Sequence, residues 1–238
     1  MNDSIYLISV PNLALAFIPV FVVVFILFKW ALEYKTALYG LLRMLGQLLI
    51  IGYFLTYIFA ANKAWIVMGV LTIMIFSAGW IALRTVIRLR RKLYLKAIYA
   101  ILIGGGSTLA LITQGVINLD PWYLPRYLIP LAGMIFANSM NSISISAERL
   151  ESEISRGTPY PSARMAALRA ALIPITNSLF AVGLVSLPGM MTGQILSGIS
   201  PLIAARYQIM VMCMIYGSSG ISCACFLWLI RAELNTAT

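Results

Sequence analysis

Histidine is absent from this 238-residue sequence. Its absence removes the commonest metal ligand and the side chain that changes charge near neutral pH. It also excludes Ser-His-Asp and Cys-His catalytic sets. Charge is scarce: 10% of residues are Asp, Glu, Lys or Arg, against about 25% in a soluble domain. The seven acidic residues all lie at the ends of long apolar runs or between them. A proton relay on a buried carboxylate, and a hard-metal cage of several oxygen anions, are therefore disfavoured. The three cysteines, Cys213, Cys223 and Cys225, fall in the last apolar run and read as small buried hydrophobes, not as a disulfide framework. No Gly-x4-Gly-Lys-Ser/Thr loop occurs. Gly104-Gly105-Gly106 lacks the lysine and reads as a close-packing or kink site, so no ATP is bound through a phosphate loop.

What the sequence does contain is apolar length. It is 61% hydrophobic, with mean hydropathy +0.94. A membrane span needs about 20 mostly apolar residues, and seven candidates are present: 11–30, 38–60, 65–87, 97–118, 126–147, 171–189 and 205–230. The runs are too long and continuous for barrel strands. The expected fold is all-α: a polytopic integral membrane protein forming a single transmembrane domain over 1–238. The run from Leu13 to Trp30 lacks a preceding basic residue and a small-residue cleavage site, so it reads as a first span and not a removed signal.

Basic residues set the orientation. Lys29, Lys35, Arg84, Arg88, Arg90, Arg91, Lys92, Lys96, Arg149, Arg156, Arg164, Arg169 and Arg231 fall on one side of such a topology. Lys63, Arg126 and Arg206 fall on the other, and Arg43 lies inside span 2. The positive-inside rule then places the N-terminus outside and the C-terminus in the cytoplasm, as in an inner (cytoplasmic) membrane. The run "RTVIRLRRKLYLK" (84–96) reads as a topology anchor in contact with anionic lipid, not as a nucleic-acid site. Seven spans match a rhodopsin-like receptor by count alone, and no lysine in span 7 would carry retinal.

The longest polar segment lies between spans 5 and 6, with a cytoplasmic coupling loop expected over 148–170. Glu148–Ser155 extends span 5 or starts a surface helix. Gly157 ends it, and Pro159 and Pro161 prevent its continuation. Ser162 then reads as the N-cap of a second helix carrying Arg164 and Arg169. The expected form is helix, sharp turn, helix, just under the membrane. Glu151 followed by Gly157 partly resembles the Glu-Ala-Ala…Gly coupling loop of ABC importer permeases, with Ser152 and Glu153 in place of the two alanines. An ordinary cytoplasmic connection is the other reading.

Few polar residues enter the spans. Arg43 and Gln47 share a face of span 2. Arg43 either reaches the cytoplasmic end or meets a substrate anion or helix-end carbonyls. Asn138, Ser139, Asn141, Ser142, Ser144 and Ser146 form a polar stripe in span 5, serving either helix packing or a path. Thr176, Asn177 and Ser178 follow Pro174 and are placed to answer backbone groups the proline frees. "SLPGMMTGQILSGISP" (186–201) is expected to break span 6 at Pro188-Gly189 and dip back as a short re-entrant segment near 188–200, with Pro201 closing it. Thr192 and Gln194 would face the path. Met190 and Met191 would act as a gate or soft-metal contact, or as apolar filler; no firm metal site follows.

Three stretches together resemble one family: "LRMLGQLLIIGYFL" (42–55), "GMIFANSMN" (133–141) and "ALIPITNSLFAVGLVSLPGMMTGQILSG" (171–198), the last followed by "SPLIAARYQIMVM". The pattern is similar to the iron-export permease family of ABC transporters, the bacterial Fet type, to which plant aluminium-tolerance half-transporters are related. The resemblance implies a permease subunit paired with a separate cytoplasmic ABC ATPase, two copies of each, exporting iron or a metal-related cargo in metal and oxidative-stress tolerance. ATP and magnesium would sit on the partner, with no cofactor and no catalytic residue in this chain. Translocation-path candidates are Arg43, Gln47, Asn138, Asn141, Asn177, Met190, Met191, Thr192 and Gln194. ATPase-coupling candidates are Glu151, Glu153, Arg156, Gly157 and Arg164. The residues leave two alternatives open: export of an organic anion such as a nucleotide sugar, and an ATP-independent channel or carrier.

Overall fold

A computed structural model describes residues 8–60, 63–87 and 89–231. Arg88, one of the expected basic anchors, and the two chain ends lie outside the described residues. Every named element among them is helical. Contacts divide the chain into two compact units, residues 1–60 and 61–238.

The first unit holds α1 (Val10–Leu15), α2 (Ile18–Lys29) and α3 (Tyr34–Ala60). Ser9 caps α1 by accepting from the Asn12 N–H at 3.4 Å, and a proline follows in the first turn, where its missing N–H costs nothing. The α2–α3 turn is closed by the Leu32 N–H on the Leu27 carbonyl at 2.8 Å and by an edge-on Phe28–Tyr34 ring pair. Lys29 and Lys35 flank this turn, as the charge pattern requires. No residue of these three helices is buried. Their side chains are mostly aliphatic and aromatic, the composition of a lipid-facing surface.

The second unit is a packed bundle. It begins with α4 (Ala64–Ala82) and α5 (Arg90–Ile101). The latter runs on through a π-helical turn (Leu102–Gly106), α6 (Ser107–Ala110) and a second π-helical turn (Leu111–Val116). Then follow α7 (Pro125–Ser155), α8 (Tyr160–Ala181), α9 (Gly189–Leu196) and α10 (Pro201–Leu229). The core lies around α7 and α10, where Ile135, Ile143, Met214, Phe226 and Leu227 are essentially fully buried. Arg90 ties α5 to α4: its guanidinium sits 3.6 Å from the Trp80 ring centroid and donates to the Trp80 carbonyl at 2.8 Å.

Six described helical segments are long and apolar enough to cross a membrane: Val10–Lys29, Tyr34–Ala60, Ala64–Ala82, Arg90–Val116, Pro125–Ser155 and Pro201–Leu229. The protein is therefore a multi-pass membrane protein. The expected sixth span, 171–189, is not one helix. It merges with the helix expected before it into α8, which starts at Tyr160 and stops at Ala181. Pro159, not Ser162, is the N-cap; its carbonyl accepts from the Ser162 and Ala163 N–H groups. Arg164, Arg169 and Asn177 dilute the hydropathy of α8 along its length.

The break also falls earlier than expected. Gly183 adopts φ +83, the left-handed conformation that ends helices. The Ala181 carbonyl collects the N–H groups of Leu184, Val185 and Ser186 at 2.8–3.2 Å, and Gly183 N–H bonds the Ser186 carbonyl at 3.0 Å. The turn thus satisfies its own backbone, as irregular chain at membrane depth must. Pro188-Gly189 begins α9 instead of ending the previous helix: Pro188 is its extended N-cap. Pro201 opens α10 as expected, with Ser200 as cap.

The three glycines at 104–106 pack as their position suggests. A Cβ on Gly104 would lie 2.4 Å from both the backbone N and Oγ of Ser222, and one on Gly105 would lie 3.1 Å from Ile135 and Phe136. A Cβ on Gly106 meets only Leu102, at 3.9 Å. Gly104→Ala should therefore cost about 3 kcal/mol, the upper range for overpacking, because rigid backbone must move. Gly106→Ala should leave thermal unfolding in detergent within a degree or two of wild type. Equal melting of the two variants would contradict this packing.

Candidate functional site

Two regions of the second unit hold the chemistry: an elbow at its basic end and a polar seam in its interior. The elbow joins α7 to α8. Gly157 adopts φ +82 and donates to the Ile154 carbonyl at 2.9 Å, ending α7 where the sequence anticipates. Glu153 holds the turn together: it pairs with Arg149 at 2.5 Å and accepts the Thr158 hydroxyl at 3.0 Å. Its carboxylate is engaged inside the elbow. Arg156 is exposed at the C-cap. Glu151 is half-buried and lines an apolar groove of about 190 Å³ with Val86, Leu89, Leu150, Ile154 and Ile230. The loop before α5, the end of α7 and the end of α10 therefore converge at one end of the unit, and the basic residues Arg84, Arg149, Arg156 and Arg231 belong to these segments, with Arg90 and Arg91 at the start of α5 and Arg164 near the start of α8.

Tyr160, the first residue of α8, donates its hydroxyl to the Leu227 carbonyl and ties the elbow to α10. Burial raises the Tyr160 pKa, with Arg164 and Arg231 partly offsetting it. The phenol therefore stays protonated at neutral pH and keeps donating.

The interior seam divides the expected stripe of span 5 into two faces. Ser139, Ser142 and Ser146 are buried. The Ser222 hydroxyl donates to Ser139 Oγ at 3.1 Å, and Ser139 donates to the Ser218 carbonyl at 3.4 Å. Asn138 instead bonds its own helix, Nδ2 to the Met134 carbonyl at 2.8 Å, and Asn141 is exposed. So the serines mediate α7–α10 packing, while the two asparagines lie off that contact.

Sequence reasoning missed the α10 half of the seam: Gln208, Ser218, Ser219 and Ser222 are all at least nine-tenths buried. Its signal was the small-residue spacing in "GSSGIS" (217–222) within an apolar run. Gln208 Oε1, Ser219 Oγ and Gln194 Oε1 are buried with no hydrogen-bond partner among the described residues. Gln194 and Thr192 lie on α9, where the Thr192 hydroxyl donates to the Pro188 carbonyl at 3.2 Å. Met191 is half-buried and Met190 more open. Asn177 is exposed on α8, and Ser178 donates to the Pro174 carbonyl at 3.0 Å. In the first unit, Arg43 and Gln47 are exposed one turn apart on α3. Among the described residues no three His, Cys, Asp or Glu side chains come together as a metal site.

These features define a class: a multi-pass α-helical membrane protein with a polar, small-residue interior and a helix–turn–helix elbow at its basic end. The chain belongs to the Uncharacterised protein family (UPF0014), whose profile matches residues 10–166 and 155–234. It is 36% identical to the Probable iron export permease protein FetB of Escherichia coli, over 92% of this chain and 91% of that one. It is 41% identical to the UPF0014 membrane protein slr1647 of Synechocystis, over 73% of each chain. It is 34% identical to Protein ALUMINUM SENSITIVE 3 of Arabidopsis thaliana, over 78% of this chain and 72% of that one. No solved structure matches.

The elbow depends on Gly157. Placing a Cβ residue in its left-handed conformation costs roughly 1–2 kcal/mol. Gly157→Ala should lower the unfolding temperature by a few degrees, whereas Gly189→Ala, in open space without positive φ, should not. Identical curves would show that the turn is not held as described.

Proposed function

We propose that this chain is the permease subunit of an ATP-driven exporter, working as two copies with two copies of a cytoplasmic ABC ATPase and moving iron or a metal-related cargo out of the cytosol. The N-terminus lies outside and the C-terminus inside. The chain is a transporter component and not an enzyme; ATP and magnesium belong to the partner. The observation that carries the reading is the α7–α8 elbow. It lies at the basic end, is held rigid by the Arg149–Glu153–Thr158 contacts, and has Glu151 beside an apolar groove. The likeness to a protein named as a probable iron export permease supports the cargo class.

Coupling works through α7. The ATPase engages Glu151, Arg156 and Gly157, and its movement passes along the helix to the serine seam and through α8 to the α8–α9 turn. Glu153 acts by holding the elbow, and Arg164 extends the contact onto α8. The path is bordered by Asn138, Asn141 and Asn177 and, at the outer gate, by Met190, Met191, Thr192 and Gln194. Arg43 and Gln47 offer a cation and an amide on α3. This donor set lacks carboxylates and imidazoles, so it suits a complexed metal of net negative charge better than a bare hard cation. The same feature favours the second reading, an organic anion such as a nucleotide sugar.

The test is ATP hydrolysis by both subunits in proteoliposomes. Iron complexes should stimulate it and nucleotide sugars should not. Arg43→Gln should weaken stimulation by an anionic complex roughly tenfold. Stimulation by organic anions alone would transfer the function to the second reading. Flux without ATP, or failure of the two subunits to copurify, would refute the coupled exporter.

A further inference from the structure

We propose that the α8–α10 cleft at the basic end is a binding site for one anionic phospholipid of the adjoining leaflet, its phosphate between Arg164 and Arg231 and an acyl chain along the apolar groove below. The polar part is a cavity of about 380 Å³ lined by Tyr160, Pro161, Arg164 and Arg231. Neither arginine has an acidic partner among the described residues; the ion pair found there is Arg149–Glu153. Both arginines line this one cavity, beside the same phenol. Tyr160, fixed by its bond to the Leu227 carbonyl, sets the spacing between the α8 start and the α10 end.

Arg164 also borders a second cavity, of about 480 Å³, whose remaining lining includes Met165, Leu168, Cys225, Leu227 and Trp228. That groove is apolar and leads from the arginines along α8 and α10. Trp228 is 68% exposed at its edge, in the position that tryptophan favours at a membrane interface. Free phosphate or an acidic peptide would use the cationic end and leave the groove unused. A phospholipid uses both. The inference stands on the cleft itself and does not rest on the transport reading.

Tryptophan quenching tests it. The full-length protein is placed in phosphatidylcholine vesicles containing a minor fraction of either phosphatidylglycerol or phosphatidylcholine with brominated acyl chains. The Trp228 signal is taken as the difference between wild type and Trp228→Phe. Brominated phosphatidylglycerol should quench it preferentially. Surface arginines contribute roughly fivefold each to anionic-lipid affinity, so Arg164→Gln with Arg231→Gln should remove a preference of about 25-fold. A matched Leu168→Trp variant, reporting from within the groove, should show the same preference. Equal quenching by the two lipids, or a preference kept in the double arginine variant, would overturn the proposal. So would full competition by millimolar inorganic phosphate, which would mark a simple anion site.

Discussion

The second unit depends on how closely two backbones approach each other. Gly104 lies so near Ser222 that a single methyl group would overlap the α10 main chain. In lipid there is no hydrophobic drive to bring helices together, because acyl chains are as apolar as leucine. Close van der Waals contact between small residues supplies it instead. In the π-helical turn over Leu102–Gly106 two of the three glycines face different neighbours: Gly104 faces α10 and Gly105 faces α7. The serines then fit between helices too close for larger side chains. Their hydrogen bonds, about 0.6 kcal/mol each in membrane proteins, fix register more than they add stability.

That packing carries consequences to the basic end. Since α7 and α10 are locked along the seam, the α7 terminus is a lever and not a frayed end. Glu153 draws the chain back through Arg149 and Thr158, and Tyr160 anchors the return on α10. On the proposed reading, a load on the elbow is passed to the bundle interior. The same anchoring borders the cleft beside Arg164 and Arg231, so the proposed lipid contact and the proposed coupling would share one structural origin.

Much of this was legible in the residues. Six of the seven expected spans overlap helices long and apolar enough to cross a membrane, because lipid requires that length and tolerates little else. Gly157 ended its helix as read, since φ +82 is a glycine conformation. The stretch expected as span 6 was misjudged at both ends for a physical reason. It continues the helix already set from Pro159, and Pro188 caps a helix as readily as it breaks one. The glycine that does end α8 is Gly183, which is unremarkable in sequence. The polar stripe of span 5 was visible, but which residues faced α10 depended on partners 79 to 83 positions away, beyond any local pattern. Burial of Gln208 was hidden for the same reason.

Crosslinking at the elbow tests the central claim most directly. With Cys213, Cys223 and Cys225 replaced by alanine, Arg156→Cys offers a thiol at the exposed end of α7. In membranes that also hold the proposed ABC ATPase partner, a short bifunctional reagent should join Arg156→Cys to that ATPase, and the yield should change severalfold between nucleotide-free and ATP-bound states. A yield indifferent to nucleotide, or no crosslink while a control thiol at the α8–α9 turn behaves alike, would contradict coupling through this elbow.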